Sequence, residues 1–88
     1  MSDKRDTVEL IEQALASLNP SQLYIRDDSH LHAGHAGNTG GGHYTITIAS
    51  EAFNDLLPLA RHRLVYQAIG ELMTTHIHAL SIHATTDN

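Results

Sequence analysis

The chain has 88 residues, 41% of them hydrophobic, with one phenylalanine, no tryptophan and no cysteine. This composition describes one small domain with a modest aliphatic core, and it excludes disulfides, a thiolate nucleophile and any zinc or iron–sulfur site ligated by the chain's own sulfur. The net charge is −5 and only Lys4, Arg5, Arg26, Arg61 and Arg63 are basic, which argues against strong non-specific DNA binding but not against a small local patch.

Residues Met1 to Asp6 are polar, and no apolar run approaches the length of a membrane span. The expectation is a soluble, cytoplasmic protein without a membrane partner. It forms a single domain over 1–88, with residues 1–5 and 86–88 as frayed ends.

The first element reads as an amphipathic helix over about residues 4–18. Val8, Ile11, Leu15 and Leu18 recur at three- and four-residue spacing, with Glu9, Glu12 and Gln13 outside the stripe. Asp3 or Asp6 suits its start, and Asn19-Pro20 stops it, because a residue before proline is pushed out of the helical region. Gln22 to Asp27 then alternates, with Leu23 and Ile25 on one face, as a short strand. A second alternating strand runs from His43 to Ala49, with Tyr44, Ile46 and Ile48 inward and the threonines outward. Two such strands in sequence predict an antiparallel hairpin with an oversized tip.

Ser50 is a good N-cap for one helical turn that closes Phe53 over the core. Pro58 fits the first turn of a longer helix. Its stripe is Leu64, Val65, Ala68, Ile69 and Leu72, with Arg61, Arg63, Gln67 and Glu71 left to water, and its end is expected near Met73 to Thr75. A third strand over 79–85 places Leu80, Ile82 and Ala84 inward and His83 outward. The order helix, strand, strand, short turn, helix, strand predicts an α+β fold: two layers, a three-stranded sheet and two main helices on one face. The strand order is not fixed by the pattern. A crossover between the last two strands would be right-handed if they are parallel.

The chemistry concentrates between the first two strands. The stretch Asp27 to His43 holds four of the eight histidines and five of the six glycines, and it has no apolar periodicity. Loops of this length in small domains are functional or disordered. His32-x-x-His35 has a spacing that allows two imidazoles on one turn to chelate a metal, yet spacing alone fits a solvated polar loop equally well. Gly34-His35-Ala36-Gly37 matches a GxxG, but on a hairpin tip rather than between helices, so it carries no weight. Arg61-His62-Arg63 places two cations around an imidazole, which suits phosphate or carboxylate as well as a bare solvated turn. His78 shares the parity of Leu80 and Ile82 and is expected on their face, as a hydrogen-bonded structural group by default. Ser29, Ser50 and Ser81 lack a nucleophile-elbow setting and Asp27-Asp28 lacks a partner carboxylate, so the chain does not read as an enzyme.

Three blocks taken together resemble the BolA family. They are Asp27-Asp28-Ser29-His30-x-His32-Ala33-Gly34-His35; His43-Tyr44 with Ser50-x-x-Phe53; and Arg61-His62-Arg63-Leu64-Val65-Tyr66 with Ile77-His78-Ala79-Leu80. The resemblance covers about residues 8–85. It implies a fold like that of class II KH domains without the GxxG, with a mixed sheet. It also implies pairing with monothiol glutaredoxins of the CGFS type, in iron–sulfur cluster maturation, trafficking or iron sensing. A [2Fe–2S] cluster would be shared as a bridge, with a glutaredoxin cysteine and glutathione on one side and none bound by the isolated chain.

On this side the family's histidine maps onto His78, and a second ligand comes from the loop, at His32 or His43, with His35 less favoured. Two imidazoles in place of two thiolates raise a cluster's potential, as in Rieske centres. Imidazole ligation needs the neutral ring, so it weakens below about pH 6.5. Arg61, His62 and Arg63 would face glutathione carboxylates or, in a second expectation, DNA, since some bacterial members are described as transcription regulators. Incidental zinc or nickel binding by the loop histidines is a third.

Overall fold

The computed structural model describes residues 4–28 and 42–86. Helix α1 spans Lys4–Leu15 and tightens into a 3₁₀ turn at Ala16–Leu18. Asp6 therefore lies inside the helix, which begins at Lys4, rather than at its cap position; Asp3 falls outside the described residues. Asn19 ends the run in the left-handed region at φ 50, ψ 55, a conformation asparagine tolerates, and Pro20 follows. The apolar stripe does what its spacing predicts: Ile11 and Leu15 are fully buried, with Val8 and Leu18 packed beside them.

Strand β1 (Gln22–Asp27) pairs antiparallel with β2 (Gly42–Ala49), in a register from Gln22 opposite Ala49 to Asp27 opposite Tyr44. Strand β3 (Ile77–Thr85) pairs with β2 in parallel, so the order is β1-β2-β3 and the mixed sheet has β2 at its centre. Tyr44, Ile46 and Ile48 bury one face of β2 and lie opposite Leu80, Ile82 and Ala84. Helix α2 (Pro58–Ile69) adds Val65 and Ile69 to the same core, with Phe53 at 0% exposure between the layers. The expected α+β fold and element order stand as read, and Leu23, Ile25, Tyr44, Ile46, Ile48, Leu80, Ile82 and Ala84 pack on the core as expected; β3 begins at Ile77, which is also buried.

Two features differ. Helix α2 ends at Ile69, because Gly70 takes φ 57, ψ −128, a conformation that L side chains avoid. Leu72–Thr75 then forms a separate one-turn helix, α3, rather than the end of a longer one. Ser50 is more than a cap. Fully buried, it accepts from the Ala52 amide at 3.0 Å and donates to the Leu18 carbonyl at 2.6 Å, joining the end of α1 to the end of β2.

Candidate metal centre

His43 opens β2 on the face opposite Tyr44, away from the helices, because neighbouring strand residues point to opposite sides. His78 reaches the same place through an irregularity. Gly42 pairs with Ile77 but His43 pairs with Ala79, so His78 is an extra residue bulging from β3. The bulge lets Ile77 and Leu80 both pack on the core and turns His78 out to solvent. The expectation that His78 shares the face of Leu80 and Ile82 is therefore corrected: parity counting fails across a bulge. The His43 and His78 rings stand with centres 5.1 Å apart and planes tilted by 48°.

That spacing fits shared ligation. Two imidazoles bound through nitrogen at about 2.0–2.1 Å to one tetrahedral ion have ring centres about 5 Å apart. The pair supplies half of a tetrahedral sphere. Among the described residues no group of three or more His, Asp or Glu side chains is placed to hold a metal ion. His32 and His35, with His30, fall outside the described residues. Of the two loop alternatives, His43 lies within the described residues, and its ring stands beside that of His78.

Backbone bonds hold His43 on both sides. The Asp28 amide donates to the His43 carbonyl at 2.7 Å, and the Gly42 amide donates to the His76 carbonyl at 3.1 Å. Next to His43 on the same face, Thr45 donates its hydroxyl to Asp28 Oδ2 at 2.6 Å, while Arg26 Nε donates to Asp28 Oδ1 at 2.7 Å. Asp28 raises the Arg26 pKa above its ordinary value, first through the hydrogen bond and then through its charge. The sequence reading missed this cluster. One signal was available, since Arg26 and Asp28 are two apart on an extended strand and so share a side; Thr45 joins them only through the register.

The Arg61-His62-Arg63 block divides. Arg61 is half-buried, its Nε donating to the Leu56 carbonyl at 2.9 Å and a terminal nitrogen to the Ala84 carbonyl at 3.3 Å. The expectation that Arg61 is left to water is corrected, because its guanidinium donates to two backbone carbonyls. His62 is half-buried and Arg63 is exposed. Near them Leu57, Leu59 and Tyr66 are 78%, 63% and 42% exposed, an apolar presence the stripe analysis did not single out.

The family profile of BolA-like proteins matches residues 14–88. The chain belongs to the BolA family. Similar relatives include the chloroplastic protein BOLA1 of Arabidopsis thaliana, 40% identical over 85% of this chain and 49% of that protein. Another is the DNA-binding transcriptional regulator BolA of Vibrio cholerae, 38% identical over 89% of this chain and 73% of that one. The chain thus spans about half of the first and about three quarters of the second. Among solved structures, the BolA domain of SufE1 from Arabidopsis thaliana superposes with a TM-score of 0.77 at 34% identity, covering 99% of this chain and 96% of that one. Within the BolA fold, the open face of the sheet carries the histidine pair and the helices cover the other face.

Proposed function

We propose that this BolA-family chain is an iron–sulfur adaptor that pairs with a monothiol glutaredoxin of the CGFS type and shares a bridging [2Fe–2S] cluster with it. The observation that carries the reading is the 5.1 Å approach of His43 and His78 on an open face. Two imidazoles in a chain without cysteine offer half of one iron's terminal ligands, and a partner with thiolate and glutathione offers the rest. The cluster, when bound, supplies electron and iron–sulfur transfer chemistry. The chain's own residues present two imidazole rings side by side at the start of β2 and β3.

Mixing the chain with such a glutaredoxin, iron, sulfide and glutathione is expected to give a visible spectrum distinct from that of the glutaredoxin alone. His78→Ala and His43→Ala should each largely abolish the difference. A spectrum unchanged in either variant rules out the ligand assignment of the pair.

A second reading, a DNA-binding transcriptional regulator, is favoured by the name of the Vibrio cholerae relative. Arg63, exposed at the start of α2, would contact phosphate or bases. Arg63→Ala should then weaken salt-dependent retardation of DNA by roughly tenfold, the scale of one lost contact of 1–3 kcal/mol. Retardation indifferent to that change removes the reading. The net charge of −5 ranks it second.

A further inference from the structure

We infer that Arg26, Asp28 and Thr45 form a clasp that holds the His43 imidazole against His78, which makes them positioning residues of the histidine pair. The inference rests on the reading of that pair as cluster ligands. Its basis is a closed circuit of bonds at the end of the β1–β2 ladder. The rung from the Asp28 amide to the His43 carbonyl lies one residue beyond the end of β1, where a hairpin ladder ordinarily frays.

Here the Asp28 side chain folds back across the rung. Its carboxylate accepts from Thr45 Oγ1 at 2.6 Å, two residues along from His43 on the same face. Arg26, directly opposite Thr45, completes the ring through Nε at 2.7 Å, with Nη2 3.5 Å from both Asp28 Oδ2 and Thr45 Oγ1. Backbone His43 to Thr45, the Thr45 hydroxyl, the Asp28 carboxylate and the Asp28 amide therefore form one loop of bonds around His43. The Asp28 side chain is 14% exposed beneath an Arg26 that is 57% exposed, so the guanidinium shelters the carboxylate instead of meeting it in open water.

On the other flank, the Gly42 amide is held by the His76 carbonyl, and the bulge at His78 turns the second imidazole toward the first. The His43 carbonyl is thus bonded to the residue that follows β1, and the neighbouring Gly42 to the residue that precedes β3. Ligand groups need support of this kind: partners behind a metal ligand commonly change affinity by about 10–100-fold when lost. A clasp meant only to stabilise the hairpin would act equally on the strand interior. One meant for His43 acts at the strand mouth.

The test separates these. Thr45→Val removes the hydroxyl at nearly constant shape, Thr45→Ser restores it, and Arg26→Gln removes the shelter at an exposed position where folding is not at risk. In the isolated apo chain, NMR reads the through-space contact between the His43 and His78 rings and amide exchange at Asp28, Ile46 and Ile48. Thr45→Val and Arg26→Gln are expected to lose the ring contact and to speed exchange at Asp28 by about tenfold, with Ile46 and Ile48 unchanged. Thr45→Ser should behave as the parent. In the glutaredoxin mixture the first two should retain less cluster, and Thr45→Ser should retain as much as the parent.

An unaltered ring contact and unaltered Asp28 exchange in both variants overturn the proposal. So does exchange that rises equally at Ile46 and Ile48, or an undiminished cluster despite a released His43. Should His78→Ala leave the cluster spectrum intact, the ligand reading itself fails and the positioning role with it, whatever NMR says of the clasp.

Discussion

Arg61 lies in a block of cations that looks made for a partner, yet its guanidinium holds two carbonyls, one before α2 and one on β3. Removing it leaves the Leu56 and Ala84 oxygens without those donors. Arg61→Ala is expected to destabilise the fold by about 1–3 kcal/mol, the cost of charged hydrogen bonds lost at partly buried acceptors. Arg63→Ala, exposed, should stay within about 0.5 kcal/mol of the parent. Urea unfolding of the two variants checks the contrast, and equal stabilities contradict the assignment of Arg61 to the fold. For the same reason a DNA-binding test by way of Arg61 would confuse unfolding with lost contact, whereas Arg63 gives a clean answer.

Arg26 is charged for a different purpose. Because its pKa is raised on folding, any stability it adds is complete below the ordinary guanidinium range and is lost only as pH climbs past the raised folded value. Arg26 therefore contributes no pH dependence near neutrality.

At the scale of elements, two backbone irregularities decide what the regular pattern leaves open. Gly70 stops α2 with φ 57, ψ −128, so α3 starts anew and delivers the chain to β3. A Cβ at Gly70 would meet only the Gln67 carbonyl oxygen at 3.8 Å, so the obstacle to a side chain there is conformation, not space. Gly70→Ala should cost about 1–3 kcal/mol, measurable as a lowered midpoint of thermal or urea unfolding. A neutral substitution would mean that the joint can relax into a continuous helix. The second irregularity is the bulge at His78. Strict alternation puts His78 with Leu80 and Ile82; one extra residue in β3 sends it to the face of His43 instead. Helix α1, the three strands and the turn at Ser50 were legible because each has a period or a cap of its own. The joint and the bulge were not, since neither has a periodic signal and each is set by how α2 and β3 must meet the sheet.

The whole molecule assembles its site from distant parts of the chain. His43 and His78 are 35 positions apart in the sequence, and the clasp joins Arg26 of the first strand and Asp28 just beyond its end to Thr45 of the second. One core of Ile11, Leu15, Ile46, Ile48, Phe53, Val65 and their neighbours holds the sheet's inner face and leaves the other face free to carry chemistry. By itself the sequence determined the α+β order, the aliphatic core, the inward residues of β1 and β2, the absence of thiolate ligands and, through its blocks, the BolA resemblance. These are local or compositional properties, so they can be read from periodicity and residue type. Only the tertiary structure decided that β2 lies between β1 and β3, that Arg61 belongs to the fold, and that His43 faces His78. Those facts depend on register and on a single inserted residue, and a change of one residue in pairing reverses the face that every later side chain presents.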